Sequence, residues 1–176
     1  MRHTALVIEL FARDIDVHYG FVHLREEDGE LPEPGREGQE NGLLGARSPH
    51  ALTMTTGLHT GGVPFRVEWH EMEPPLDDAW QDVVEASVEL VVRELVLATF
   101  DDGSSVRAPR LGWHRARYSG TEMDAGREMD CPTPGESAPD SYLLQLWPAP
   151  PAPDRVVKVT SEIAAYWHDV ARGVVP

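Results

Sequence analysis

The sequence predicts a mainly β protein, a two-sheet antiparallel β-sandwich with a short C-terminal helix. Three observations carry the prediction. Val63, Phe65, Val67 and Trp69 alternate with Pro64, Arg66, Glu68 and His70, the period of a half-buried strand, and the same pattern recurs along the chain. The links between such stretches are acidic and rich in Pro and Gly, and they lack the helices that parallel crossovers need. The period turns helical only after Ser161.

Thr4 to Phe11 reads as a first strand, with Leu6, Ile8 and Leu10 on one face. Ala12-Arg13-Asp14 reads as a tight connection. Ile15 to Leu24 reads as the second strand, and Gly20 within it marks a bulge or a close backbone approach. Arg25 to Gly42, with Pro32 and Pro34, is too polar to pack and reads as a long mobile loop. Leu43 to Ala46 and Ala51 to Thr56 follow as short strands, then the clear strand Val63 to Glu71. Pro74-Pro75 breaks the pattern, and Leu76 to Trp80 is a connector.

Asp82 to Val92 fits a strand or a helix; its β-branched content favours a strand. Glu94 to Phe100 runs into Asp101-Asp102-Gly103, a hairpin signal, and Ser104 to Ala108 returns. Trp113 to Tyr118 is a strand with Trp113, Arg115 and Arg117 on one face and His114, Ala116 and Tyr118 on the other. Thr121 to Pro139 reads as a second mobile loop. Tyr142 to Trp147 is the last clear strand, and Arg155 to Thr160 is extended. Ile163, Tyr166, Trp167, Val170 and Ala171 then share one helical face, with Ser161 as N-cap, Glu162 in the first turn and Gly173 as the stop.

The 176 residues suit one domain spanning the whole chain. That size buries roughly 70% of the unfolded surface. A hydrophobic content of 41% favours a globular fold over disorder. No apolar run reaches the ~18 residues of a membrane span. Glu9 interrupts the first apolar run, so the N-terminus does not read as a signal peptide, and the expected location is cytoplasmic. The formal net charge of −15 disfavours nucleic acid and anionic membranes as partners and favours a basic protein.

Common catalytic signatures are missing: there is no Gly-x-Ser-x-Gly, no phosphate loop, no dinucleotide fingerprint and no His-Glu-x-x-His. The single cysteine, Cys131, lies in an acidic stretch unsuited to a nucleophile. Trp-His occurs three times, at Trp69-His70, Trp113-His114 and Trp167-His168. Their spacing gives no reason for the three histidines to converge on a metal. The acidic clusters Glu26-Glu27-Asp28, Asp77-Asp78 and Asp101-Asp102 lack the alternating oxygen ligands of a calcium loop. Neither metal nor cofactor is expected. The densest polar-aromatic patch is Trp113, His114, Arg115, Arg117 and Tyr118. Trp, Tyr and Arg dominate interface hot spots, so these five are the predicted binding residues. The alternative is that the arginines pair with carboxylates across the sheet.

Four stretches resemble the competence nuclease-inhibitor family, the ComJ-like proteins. They are DIDVHYGFVHLRE at Asp14 to Glu26, GLLGARSPHALTM at Gly42 to Met54, the strand Val63 to Trp69, and Arg107 to Tyr118 with the Tyr-x-Leu strand Tyr142 to Trp147. The resemblance spans about residues 10 to 150. It implies a small β-sandwich that binds and blocks a nuclease without catalysis of its own. The stretch Thr121 to Pro139 and the helical tail lie beyond the family pattern.

The reading favoured by these observations is a non-catalytic acidic binding module, an inhibitor or immunity-type protein for a basic nuclease or toxin. A metal- or ligand-binding enzyme built on His70, His114 and Glu68 is the alternative. A structural or oligomeric role for the tail helix is the third.

Overall fold

Alternation puts one apolar row on each strand, and two sheets must face each other to bury those rows. The computed structural model describes residues 5–30, 32 and 35–176, and its strands meet that need in two sheets. In chain order the strands are β1 (Val7–Val17), β2 (Phe21–Glu26), β3 (Leu44–Gly45), β4 (Leu52–Thr55), β5 (Gly61–His70) and β6 (Asp82–Leu90). They continue with β7 (Glu94–Ala98), β8 (Gly103–Arg107), β9 (Gly112–Thr121), β10 (Ser141–Pro148) and β11 (Arg155–Lys158). Two helices, α1 (Met123–Met129) and α2 (Glu162–Ala171), complete the described elements.

One sheet runs β1-β5-β10-β9-β6-β11 and the other β3-β4-β2-β7-β8. All pairings are antiparallel except β10 with β5, which is parallel. Between the sheets lies the apolar core, with Phe65, Val67, Tyr118, Tyr142 and Leu144 from one sheet and Val22, Leu24, Leu52, Met54 and Leu97 from the other.

The first strand differs from its expected form. Ala12-Arg13-Asp14 is not a connection: β1 runs through it, paired to β5. The register shifts between Glu9 and Phe11, so Leu10 is an extra residue. A bulge exchanges the faces of the residues beyond it. That is why Phe11, Ile15 and Val17 are buried while Leu6 is exposed. The expected strand Ile15 to Leu24 is split at Tyr19-Gly20, whose φ angles of 60° and 69° make a two-residue turn of the mirror-image kind. Gly20 does approach another backbone closely. Its N–H donates to the His59 carbonyl and its own carbonyl accepts from Thr56 N–H, both at 2.9 Å. Thr4, at the start of the first expected strand, and residues 31, 33 and 34 of the first expected loop lie outside the described residues.

The stretch Thr121 to Pro139 is not loop throughout, because α1 forms within it. Its Asp124 carboxylate accepts from the N–H groups of Glu162 and Ile163 at 2.9 and 2.8 Å. Those are unpaired donors at the start of α2, where a carboxylate is favoured. Ser161 caps α2 as expected, accepting from Ala164 N–H at 3.2 Å. The buried face of α2 differs in part from the predicted one: Ile163 and Ala171 are buried, but so are Ala164 and His168, while Tyr166 is exposed. The helix lies so close to Gly42 that a Cβ there would sit 1.8 Å from the Trp167 carbonyl oxygen. His168 Nδ1 accepts the Gly42 N–H at 2.9 Å, which fixes the contact.

Candidate functional site

Strand β9 carries all five predicted binding residues, and its pleat divides them. His114 and Tyr118 point into the core. Trp69 Nε1–H donates to His114 Nε2 at 3.1 Å. The ring proton is therefore on Nδ1, which donates to the Gly112 carbonyl at 2.9 Å. Burial lowers the His114 pKa, the Gly112 hydrogen bond opposes that, and Arg110 adds to it. Tyr118 stacks on Tyr142 at 5.5 Å and donates its hydroxyl to the Thr55 carbonyl of the facing sheet at 2.9 Å. Burial raises its pKa well above the ordinary tyrosine value. Both residues lie inside the molecule: Tyr118 ties the two sheets together, and His114 links strands of its own sheet.

Arg115 and Arg117 point to the outer face of the same sheet, yet they are buried too. The register sets Glu85 of β6 directly opposite Arg117 of β9 and Arg155 of β11. Glu85, only 1% exposed, accepts from Arg117 Nε and Arg155 Nε at 2.9 Å each. Arg115 Nε lies 3.6 Å away. Burial pushes the Glu85 pKa up, but the hydrogen bonds from Arg155 and Arg117 outweigh it and hold the group below its ordinary value.

The remaining arginine donors reach the Glu73 carboxylate, from Arg117, and the Ser87 hydroxyl, from Arg115, each at 3.0 Å, and the backbone of two connectors. Arg115 donates to the carbonyls of Ala152 and Pro153 at 2.8 Å, and Arg117 to that of Pro74 at 2.8 Å. Arg117 also stacks on Trp147 at 5.1 Å. The network fastens the Pro-rich segment 148–153 and the 73–75 connector onto the sheet. Trp113 is the member left partly open, on a shallow groove of about 280 Å³ shared with Gln39, Pro49 and Pro151.

The three Trp-His histidines occupy separate surroundings. His70 Nε2 lies 2.9 Å from Glu68 Oε2 on the outer face, with Gln145 Nε2 at 3.2 Å from the same ring nitrogen. His114 is on the inner face, and His168 is on α2. The structure thus joins His70 to Glu68 and leaves His114 apart from them. Among the described residues no group of three His, Cys, Asp or Glu side chains is placed to hold a metal ion. Cys131 is exposed and unpaired with another cysteine. No described helix is long and apolar enough to cross a membrane.

A larger cleft, about 470 Å³, lies at one end of the sandwich. The Tyr19-Gly20 turn, the 55–59 segment, α1 and α2 enclose it, with Tyr19, Phe21, His59, Arg127, Asp130 and Trp167 on its walls. Sequence reasoning did not single out this end. The available signal was Tyr19-Gly20 itself, a Gly-containing pair between two alternating runs, which marks a turn more than a bulge.

No family model matches the sequence, and no curated protein sequence matches it. Solved structures do share its fold. ComJ from Bacillus subtilis, an inhibitor of the DNA-degrading activity of NucA, superposes with a TM-score of 0.56 at 10% identity, over 82% of this chain and 99% of ComJ. The crocagin biosynthetic gene J product superposes with a TM-score of 0.54 at 12% identity, over 82% of this chain and 98% of its own. The chain is therefore a two-sheet β-sandwich with a C-terminal helix whose fold resembles that of ComJ, a nuclease inhibitor.

Proposed function

We propose that this protein is a non-catalytic acidic binding module that engages a basic protein, a nuclease or toxin, and blocks it. The observation that carries the reading is the superposition of nearly the whole of ComJ on this chain. The formal charge of −15 supports it. A nuclease presents a cationic groove to phosphates, and an anionic protein is steered into such a groove quickly and salt-dependently. The placement of β9 is consistent with it, since Arg117 and His114 are held in internal pairs with Glu85 and Trp69.

The test is inhibition. DNA-degrading nucleases of the source organism are purified one by one and assayed with increasing amounts of the protein. The expected result is stoichiometric loss of DNA degradation by at least one basic nuclease, weakening as salt rises. Full nuclease activity in every case, or inhibition that does not respond to salt, overturns the reading.

A further inference from the structure

We propose that the protein docks its cationic partner through the exposed aromatic end formed by Tyr19, Phe100, His18 and His59. This rests on the binding role above and names its surface. The rings come from three separate segments: the β1–β2 turn, the segment before β5, and the β7–β8 turn. The His18 ring lies 5.5 Å from that of Phe100 and 4.4 Å from that of Tyr19. Tyr19 meets His59 at 5.3 Å and Phe100 at 6.2 Å.

The rings are presented to solvent and held there. Tyr19 is 58% exposed and Phe100 73%, the two most exposed aromatic rings among the described residues. Phe100 is held at its tip by Thr99, which donates its N–H to the Asp102 carbonyl at 2.8 Å and accepts the Asp102 N–H at 3.1 Å. Tyr19 has a φ of 60°, a region uncommon for a bulky side chain. Gly20 anchors that turn to Thr56 and His59. Contiguous exposed apolar surface with a polar rim marks an interaction site. Aromatic rings suit it, because they offer a large contact area with few torsions to order.

The surrounding charge selects the occupant. Asp101 lies 3.8 Å from His18 and is itself exposed. Asp102 is beside it, and exposed Asp16 precedes His18 by two residues on β1. Asp130 lines the adjoining cleft with Tyr19 and His59. Of the arginines at this end, Arg13 is engaged by Asp102 at 3.6 Å and by Ser104, and Arg127 sits across the cleft. Ring faces beside carboxylates attract guanidinium and ammonium groups by cation–π and Coulomb terms together. The occupant that fits is a protein surface bearing Arg and Lys.

The experiment uses the full chain carrying Tyr19→Asn and Phe100→Ser. Asn accepts the left-handed turn conformation, so the ring is lost while the turn is kept. If the inhibition assay identifies a nuclease, the double variant is expected to inhibit it about 100-fold more weakly, since hot-spot rings are worth roughly tenfold or more each. A Leu76→Ala control is expected to leave inhibition unchanged. Unaltered inhibition by the double variant overturns this surface and leaves the nuclease reading standing. If no nuclease is inhibited, a 12-residue Arg/Lys peptide is titrated into the labelled protein and followed by NMR. Amide shifts centred on Tyr19, His59, Phe100 and Asp101, and lost in the double variant, support the surface although the nuclease reading has failed. Absent shifts, or shifts centred on Glu27–Glu30 or Asp77-Asp78, overturn it.

Discussion

Strand β9 and the aromatic end hold similar residue types in opposite situations. On β9, Arg115, Arg117, His114 and Tyr118 are closed off, each held by hydrogen bonds to partners inside the protein. At the aromatic end, Tyr19 and Phe100 pack on each other and on two histidines but keep most of their surface open. Composition alone ranks β9 first, because it is dense in hot-spot residues. Pairing reverses the order. A polar strand in the middle of a sheet has neighbours on both sides to satisfy it, whereas a ring at a turn tip has none.

The contrast makes β9 a matter of stability and the aromatic end a matter of surface. Glu85→Ala is expected to destabilise the protein by about 3–5 kcal/mol, because it leaves Arg115 buried without its counter-ion and leaves buried Arg117 only the exposed carboxylate of Glu73. Urea denaturation measures this, and a loss below about 1 kcal/mol would show that the ladder is dispensable.

A smaller effect is expected from pH. His114 and His168 both have pKa values lowered chiefly by burial from an ordinary value of 6.5, and each uses a ring nitrogen as an acceptor in its neutral form. A lowered native pKa means the unfolded chain binds the proton first. Their contribution is thus complete above about pH 6.5 and is lost as pH falls from there through the native value. Denaturation midpoints followed from pH 7.5 to 5 should decline, and less steeply in His114→Gln. An identical pH profile in wild type and variant would refute the assignment.

The least effect on folding is expected at the other end. Phe100→Ser removes an exposed ring and should change stability by no more than about 0.5 kcal/mol. A calorimetric loss near that of Glu85→Ala would make Phe100 a packing residue and erase the distinction.

Much of the fold was legible because it rests on local rules. Alternation located β5, β6, β9 and β10, Asp101-Asp102-Gly103 marked the β7–β8 hairpin, and Ser161 capped its helix where the change of period put it. The misreadings were also physical. The bulge at Leu10 leaves an apolar alternation intact on paper while changing which face it serves. Helix α1 is seven residues long and carries Gly126 in its interior. Too short to hold together alone, it is supported by its contact with the N-terminus of α2, a partner 38 residues away in sequence.

The candidate site was less legible than the fold for the same reason. From the residues in order one can read that the chain forms half-buried strands, that its last segment is helical, and that its charge is strongly negative; all three depend on composition or on spacing of a few residues. Packing determined that Glu85 stands opposite Arg117 and Arg155, that Trp69 meets His114 across a sheet, and that Tyr19, His59 and Phe100 gather at one end. Those meetings join residues tens of positions apart through strand order and register, and neither quantity is written in any single stretch of the chain.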